Sequence, residues 1–278
     1  MHMTSSSIPD FKMRLQGASV PPKSPLLEQF EPHGRLRGGC SSVYVSEHKE
    51  TGKLVAIKMP RLDKSRLPEI LKREIQVLQR ISHPNVVSML ASDEQMPFII
   101  LEYLGEKSFR SPMERKAAVD AVCRASSALS DLHSMGILHR DIKPSHIFLA
   151  NQIVKMVDFA FAKTEGVVEF NGKRPFGTLE FIAPEHFAGN GTDQRTDIYA
   201  MGMTLYYMLT RHFPVAEPTP KKFVRYLKGN QDPLPPSFWD DGISPELSTV
   251  VLRAIDKDPA KRFQSAGDMA SALVKLQP

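Results

Sequence analysis

The pattern of the chain changes character once, near Leu104, and that change limits the folds open to it. From Leu26 to about Leu104 short β-rich runs recur, notably SSVYVSEH, LVAIKMP and FIILEYL, broken by one charged, helix-patterned stretch, PEILKREIQVLQRI. After Ser111 the pattern is helical, as in MERKAAVDAVCRASSALSDLHSMG and TDIYAMGMTLYYMLT, with the short strands ILH, IFLA and IVKMV between. The expected class is therefore α+β: a small sheet with one helix over about 26–102, then a larger helical lobe over about 105–278, joined near Glu102 to Gly105. With 278 residues, 41% of them hydrophobic, the chain can bury a substantial core in two such lobes sharing one cleft.

Residues 1–25 are rich in Ser and Pro and lack periodicity, so a flexible arm is expected there. There are no internal repeats, and the last helix pattern, SAGDMASALVKLQ, reaches the end of the sequence, so a further appended domain is not expected. No stretch approaches the roughly 18 apolar residues of a membrane span. The two cysteines, Cys40 and Cys123, are too few for a disulfide framework or a four-cysteine zinc site and fit free thiols in a reducing cytosol. A soluble, cytoplasmic protein is expected. The formal charge of +5 comes from Lys and Arg scattered without a dense basic run or interleaved aromatics, which argues against nucleic acid as a partner.

The most specific stretch is HRDIKP at 139–144, followed after a strand pair by VDF at 157–159. It sets two aspartates, Asp141 and Asp158, seventeen positions apart. Transfer of a phosphoryl group needs one group to orient the attacking hydroxyl and another to hold a divalent metal against the phosphates, because positioning and electrostatics supply most of the catalysis. Asp141 suits the first task and Asp158 the second.

Further stretches carry the comparison beyond these two motifs. They are VAIK at 55–58, LKREIQVL around Glu74, LRGGCSSVY, FIILEYL, GTLEFIAPE at 177–185, TDIYAMG around Asp197 and DPAKRF around Arg262. Taken together, from about Glu28 to Leu276, the sequence resembles the eukaryotic-type protein kinases of the serine/threonine class. The resemblance implies ATP and Mg2+ or Mn2+ as cofactors and a protein with a Ser or Thr acceptor as substrate. It implies Asp141 and Lys143 as catalytic residues, with Lys143 neutralising the transferring phosphate and Thr178 agreeing with that subclass. Lys58, paired with Glu74, would take the α- and β-phosphates. Leu36, Gly38 and Gly39 would belong to the phosphate-covering loop, Val43 and Ala56 would line the nucleotide, and Leu101 would guard the back of the adenine site. Glu102 and Leu104 would offer adenine their backbone. Glu185 would pair with Arg262, and Asp197 would steady the catalytic loop from beneath.

The chain departs from the family's pattern in four places. Leu36 and Ser41 stand where the loop's first and third glycines would be, and Cys40 stands where an aromatic is common. His146 replaces the asparagine that binds the second metal ion. Imidazole suits softer ions than magnesium, so a metal role for His146 together with Asp158 implies slow or manganese-favoured activity, whereas the alternative is a histidine that merely packs. Ala160 follows Asp158 and Phe159 where glycine is usual, restricting the backbone. Arg140 precedes the catalytic aspartate, yet the only hydroxyl residue between Ala160 and Gly177 is Thr164, so Glu165 or Glu169 would have to supply any negative partner. These departures keep open a pseudokinase that binds nucleotide as a scaffold or allosteric partner. A small-molecule phosphotransferase is a third reading.

Overall fold

The computed structural model describes residues 24–36, 41–60, 67–95, 97–105, 108, 114–167 and 177–276. Gly38, Gly39, Cys40 and Glu169 lie outside the described residues, as do residues 1–23 of the expected arm. The chain divides into two compact units. One takes the residues up to His83 together with Val87–Glu106, and the other takes Pro84–Val86 and the chain from Lys107 onward.

The first unit is an antiparallel sheet of β1 (Phe30–Leu36), β2 (Ser41–His48), β3 (Leu54–Pro60), β4 (Met89–Asp93) and β5 (Phe98–Glu102), in the order β1-β2-β3-β5-β4. The three β-rich runs of the sequence are the three inner strands. The two edges, β1 and β4, were not legible as strands. β1 contains Pro32 beside a register shift between Pro32 and Gly34, and β4 leaves Leu90 56% exposed. Proline and weak apolar content are tolerated at an edge because one side of the strand needs no ladder partner.

Strand alternation divides the sheet between two purposes. Tyr44, Val55, Ile57, Met59, Phe98 and Ile100 point to one face and close over Leu27 and Phe30 in a buried core, each such side chain contributing about 1.5–3 kcal/mol. The register sets the other face. Leu36 is opposite Val43, Val43 opposite Lys58 and Lys58 opposite Ile99, while Ala56 is opposite Leu101. A period of two therefore gathers Val43, Ala56, Lys58 and Leu101 onto a single face. The helix α1 (Leu67–Leu78) packs against β3 and β5. Its buried Leu71, Ile75 and Leu78 recur at the helical spacing and carry Glu74 inward with them.

The second unit is helical. It contains α2 (Arg115–Ser134), α3 (Pro184–Ala188), α4 (Gln194–Thr210), α5 (Pro220–Lys228), α6 (Pro245–Ala254) and α7 (Ala266–Val274), with a two-stranded sheet of β6 (Ile147–Ala150) and β7 (Ile153–Met156). The run ILH is not a strand. Leu138 makes one isolated bridge with Lys163, too short a pairing to extend a ladder. The central helix is α4, buried along nearly its whole length and started by a reciprocal capping box between Asp193 and Thr196. It lies against α2 and α6. Gly202 permits the second contact, because a Cβ there would stand 2.6 Å from the Cβ of Ala254.

Candidate functional site

In the first unit, Lys58 and Glu74 form an ion pair away from water. The Lys58 Nζ donates to both carboxylate oxygens of Glu74 at 2.8 and 2.6 Å, and the two residues are 7% and 1% exposed. A lysine this buried without a partner would bear a large desolvation cost. The sheet presents the ammonium on the face shared with Val43, Ala56 and Leu101, and the helix brings the carboxylate to it. At the end of β5, the Glu102 N–H donates to the Ser88 carbonyl at 3.0 Å, and the Glu102 side chain accepts the Ser88 N–H at 2.7 Å. Leu104 is half-buried just beyond.

In the second unit, the loop that carries Asp141 is held from below by Asp197. That residue sits in the first turn of α4, where the helix favours negative charge, and it is fully buried. Its carboxylate accepts the N–H of His139 at 2.8 Å and of Arg140 at 2.7 Å, and it meets His133 Nε2 at 2.9 Å. Burial pushes the Asp197 carboxyl up, but His133 and the Arg140 amide outweigh it and hold the group below its usual range. Arg140, at φ 65°, occupies the left-handed region, and so does Asp158 at φ 66°. Each such conformation costs on the order of 1–3 kcal/mol and survives only where its surroundings over-determine it. Exchanging Asp197 for asparagine removes one of the two acceptor oxygens. The expected loss of stability is about 1–3 kcal/mol, read as a lower midpoint in thermal unfolding followed by circular dichroism.

His139 ties the two aspartate loops together. Its Nδ1 accepts the Asp141 N–H at 3.3 Å, so its Nε2 carries the proton and donates to the Val157 carbonyl at 3.1 Å. The ring packs on fully buried Phe159 with centroids 4.6 Å apart. Ala160 is 5% exposed and stays outside the left-handed region. Around Asp141 a polar array forms. Lys143 Nζ donates to Asp141 Oδ2 at 2.9 Å and to Thr178 Oγ1 at 3.0 Å. Gly177, at φ 103°, passes so close that a Cβ there would lie 3.2 Å from Asp141 Oδ1. Glycine is therefore the residue that lets this segment meet the carboxylate.

His146 completes the arrangement. Its Nδ1 lies 2.9 Å from the Asp141 carbonyl, which can only accept, so Nδ1 carries the proton. Burial lowers the imidazole pKa to about 4, against the opposing pull of Asp158 and Asp141, and the ring is neutral near pH 7. Nε2 then turns its lone pair toward Asp158 Oδ2 at 3.2 Å. Two acceptors facing each other at this separation suit a shared cation. Asp141, His146 and Asp158 each offer a ligand atom, all within 4.8 Å of one another. A carboxylate with a neutral imidazole nitrogen is a donor set for a divalent ion of borderline softness.

The sequence-named residues thus fall into groups: Lys58 with Glu74, a face with Val43, Ala56 and Leu101, and the array of Asp141, Lys143, His146 and Asp158. Gly38 and Gly39 lie outside the described residues, and Leu36 is described only by its register. Gly177 and His133 were missed as supports. Gly177 was visible within GTLEFIAPE, but its approach to Asp141 is tertiary, and nothing in the sequence links His133 to Asp197. Arg262 meets Glu185 through two 2.8 Å bonds, as the resemblance implied.

A bilobal α+β architecture, an inward lysine–glutamate pair and two aspartate loops on a helical scaffold are features of one class of protein. Residues 34–274 match the protein kinase domain family, and the chain belongs to it. Among characterised proteins it is 33% identical over 258 residues to the serine/threonine-protein kinase PknB of Mycobacterium tuberculosis, an overlap of 86% of this chain and 41% of that one. It is 32% identical over 252 residues to a probable serine/threonine-protein kinase of Streptomyces coelicolor, covering 84% of this chain and 37% of the relative. It is also 32% identical over 255 residues to the serine/threonine-protein kinase Pkn1 of Myxococcus xanthus, with shares of 85% and 36%. The chain spans less than half the length of these relatives. Among the described residues no helix is long and apolar enough to cross a membrane.

Proposed function

We propose that this chain transfers the γ-phosphoryl group of ATP to serine or threonine hydroxyls of protein substrates. The observation that carries the reading is Lys143, whose ammonium bridges the Asp141 carboxylate and the Thr178 hydroxyl at 2.9 and 3.0 Å. A carboxylate that can orient an incoming hydroxyl thereby sits beside a cation that can neutralise the phosphoryl group being transferred. Asp141 accepts the hydroxyl's hydrogen bond and aligns its oxygen for attack. Lys143 offsets the negative charge as the bond to the leaving phosphate loosens. Lys58, held by Glu74, takes the α- and β-phosphates, and Val43, Ala56 and Leu101 offer an apolar face to adenine, with Glu102 and Leu104 contributing backbone. The names of the relatives agree with a Ser/Thr acceptor. The buried thiol of Cys123 suits a reducing compartment such as the cytoplasm. Thr164, the one hydroxyl residue between Ala160 and Gly177, is itself buried, which favours activity without phosphorylation of that segment.

Asp158 and His146 would hold the divalent ion, with Asp141 alongside. When bound, that ion neutralises phosphate charge and fixes the phosphates in place. Magnesium demands hard oxygen ligands, whereas manganese accepts imidazole, so a Mn2+ preference follows from His146. The test is transfer of labelled phosphate from ATP to a generic basic protein, in Mg2+ and separately in Mn2+, for the native chain and His146→Asn. The native chain is expected to work faster in Mn2+, and His146→Asn to raise the Mg2+ rate relative to the Mn2+ rate by about tenfold, the equivalent of one modest ligand interaction. Transfer with identical metal ratios in both proteins would remove His146 from the metal site. No transfer in either metal, with ATP still raising the melting temperature, would make the chain a nucleotide-binding pseudokinase. Phosphate appearing on small alcohols alone would overturn the protein-kinase reading.

A further inference from the structure

The helix α5 has the sequence PKKFVRYLK, with four cations and no acid in nine residues. Its buried side is apolar: Phe223, Tyr226 and Leu227 face the interior. Lys221, Arg225 and Lys228 recur at i, i+4 and i+7, which places them in one line along the helix, and all three are exposed. Lys222, one position off that line, is paired with Glu217 at 2.8 Å. The charges of Lys221 and Arg225 face no acidic side chain within ion-pair distance among the described residues, and the Lys228 ammonium lies over the Phe187 ring, 5.7 Å from its centroid.

The position of this line matters as much as its sign. α5 packs against α3 and against the turn Leu179–Phe181, which directly follows Thr178, the partner of Lys143. The contact is built from rings. Phe223 of α5 meets Phe213 at 5.8 Å, and Phe213 meets Phe181 at 5.8 Å. Aromatic packing of this kind is stiff, so the cationic line is held in a fixed relation to the turn beside Asp141. Of the acids in the adjoining segment, Glu185 is committed to Arg262, which leaves Glu180, half-buried in the turn.

We propose that the exposed edge of α5 is a docking surface for an acidic segment of the protein substrate, read through Lys221, Arg225 and Lys228. The proposal rests on the kinase reading above and specifies the kind of substrate. A protein acceptor is favoured over a lipid surface or a nucleic acid because the line borders the segment that supports the phosphoacceptor array. Complementary charge raises encounter rates and holds a flexible substrate close, while the transfer step itself is unaffected. The effect is therefore on KM rather than kcat.

The experiment compares two sets of peptides with the same acceptor serine, with and without a block of aspartates placed at varied distances on either side. At low salt the acidic block is expected to lower KM by about tenfold, as a few exposed ion pairs acting together allow, with kcat unchanged and the advantage erased at high salt. Lys221→Glu/Arg225→Glu/Lys228→Glu should lose the advantage and keep the kcat of the plain peptide. Exchange of the same three residues for glutamine should lose it too, which separates lost attraction from introduced repulsion. Thermal unfolding checks that both variants fold. Equal KM for both peptide sets, or an advantage that survives in the glutamine variant, would overturn the proposal. If no peptide is phosphorylated, the kinase reading fails, and binding of a labelled aspartate-block peptide by fluorescence anisotropy still decides the surface. Binding lost in the variants supports it. Binding only to phosphatidylserine vesicles or single-stranded RNA overturns it.

Discussion

Replacement of Asp141 by asparagine is expected to slow phosphoryl transfer to a protein acceptor by about 10²- to 10⁴-fold, the range removed when a positioned acid–base group is lost. The side chain keeps its shape and one oxygen for Lys143, so the 2.9 Å contact survives in weakened form. The melting temperature should stay within a few degrees of the native value. Lys58 and Glu74 are unaltered, and Asp158 keeps its contact with His146, so the KM for ATP should hardly change. The loss then falls on kcat, the pattern of an interaction realised in the transition state. Single-turnover transfer from labelled ATP, beside a thermal melt, separates chemistry from folding. A native rate in Asp141→Asn would remove this residue from the reaction. A collapse of stability would make it a structural residue.

Removal of Arg262 should have the largest effect on stability. Its guanidinium is 1% exposed and lies over the Tyr199 ring at 4.9 Å. It donates to both oxygens of Glu185 at 2.8 Å, to the Arg195 carbonyl at 2.8 Å and to the Asp256 carbonyl at 2.6 Å. Arg262→Ala leaves a mostly buried carboxylate without its cation and several carbonyls without a donor. The expected cost is about 3–5 kcal/mol, which lowers the midpoint by roughly 10 °C or more in a chain of this size. Burial raises the Glu185 carboxyl, but the hydrogen bond and charge of Arg262 outweigh it, and the pKa lies below the usual glutamate value of 4.5. A depressed folded-state pKa gives stability that is present above the ordinary glutamate range and is lost as pH falls through the folded value. The native chain should therefore lose stability on acidification through that window more steeply than Arg262→Ala does. Adding Glu185→Gln to the variant should recover part of the loss, because a neutral amide tolerates burial better than an unpaired charge. Chemical denaturation across the acid range reads both effects.

How much of the site was legible depended on how local each signal was. Strands β2, β3 and β5 were visible because inner strands need continuous β-branched and apolar content. β1 and β4 were not visible, since an edge strand is held by its neighbour and tolerates Pro32 and an exposed Leu90. ILH carried strand composition but finds only Lys163 to pair with Leu138, and composition cannot supply a partner. The alternation along the strands contained the division of the sheet into a core face and a face with Lys58. Register then set which residue of β2 met which residue of β3.

His146 shows the boundary between the two kinds of information. Its place five positions after Asp141 made it a metal-ligand candidate and left packing as an equal alternative. The sequence alone could not choose, because the choice turns on which ring nitrogen is protonated and where the other points. The first follows from the Asp141 carbonyl at 2.9 Å, five positions away in the same loop, and the second from Asp158 at 3.2 Å, which the β6–β7 pair returns to His146. The cationic line of α5 divides in the same way. Its spacing is written in PKKFVRYLK, but its neighbourhood comes from Phe223, Phe213 and Phe181 packing together. The sequence determined the class of fold, the aspartate pair and the residue types of the site, since these reside in local pattern and motif spacing. Tertiary structure decided the support of the Asp141 loop by Asp197 and Gly177, the facing of His146 and Asp158, and the surface beside them, because each depends on distances between segments separated along the chain.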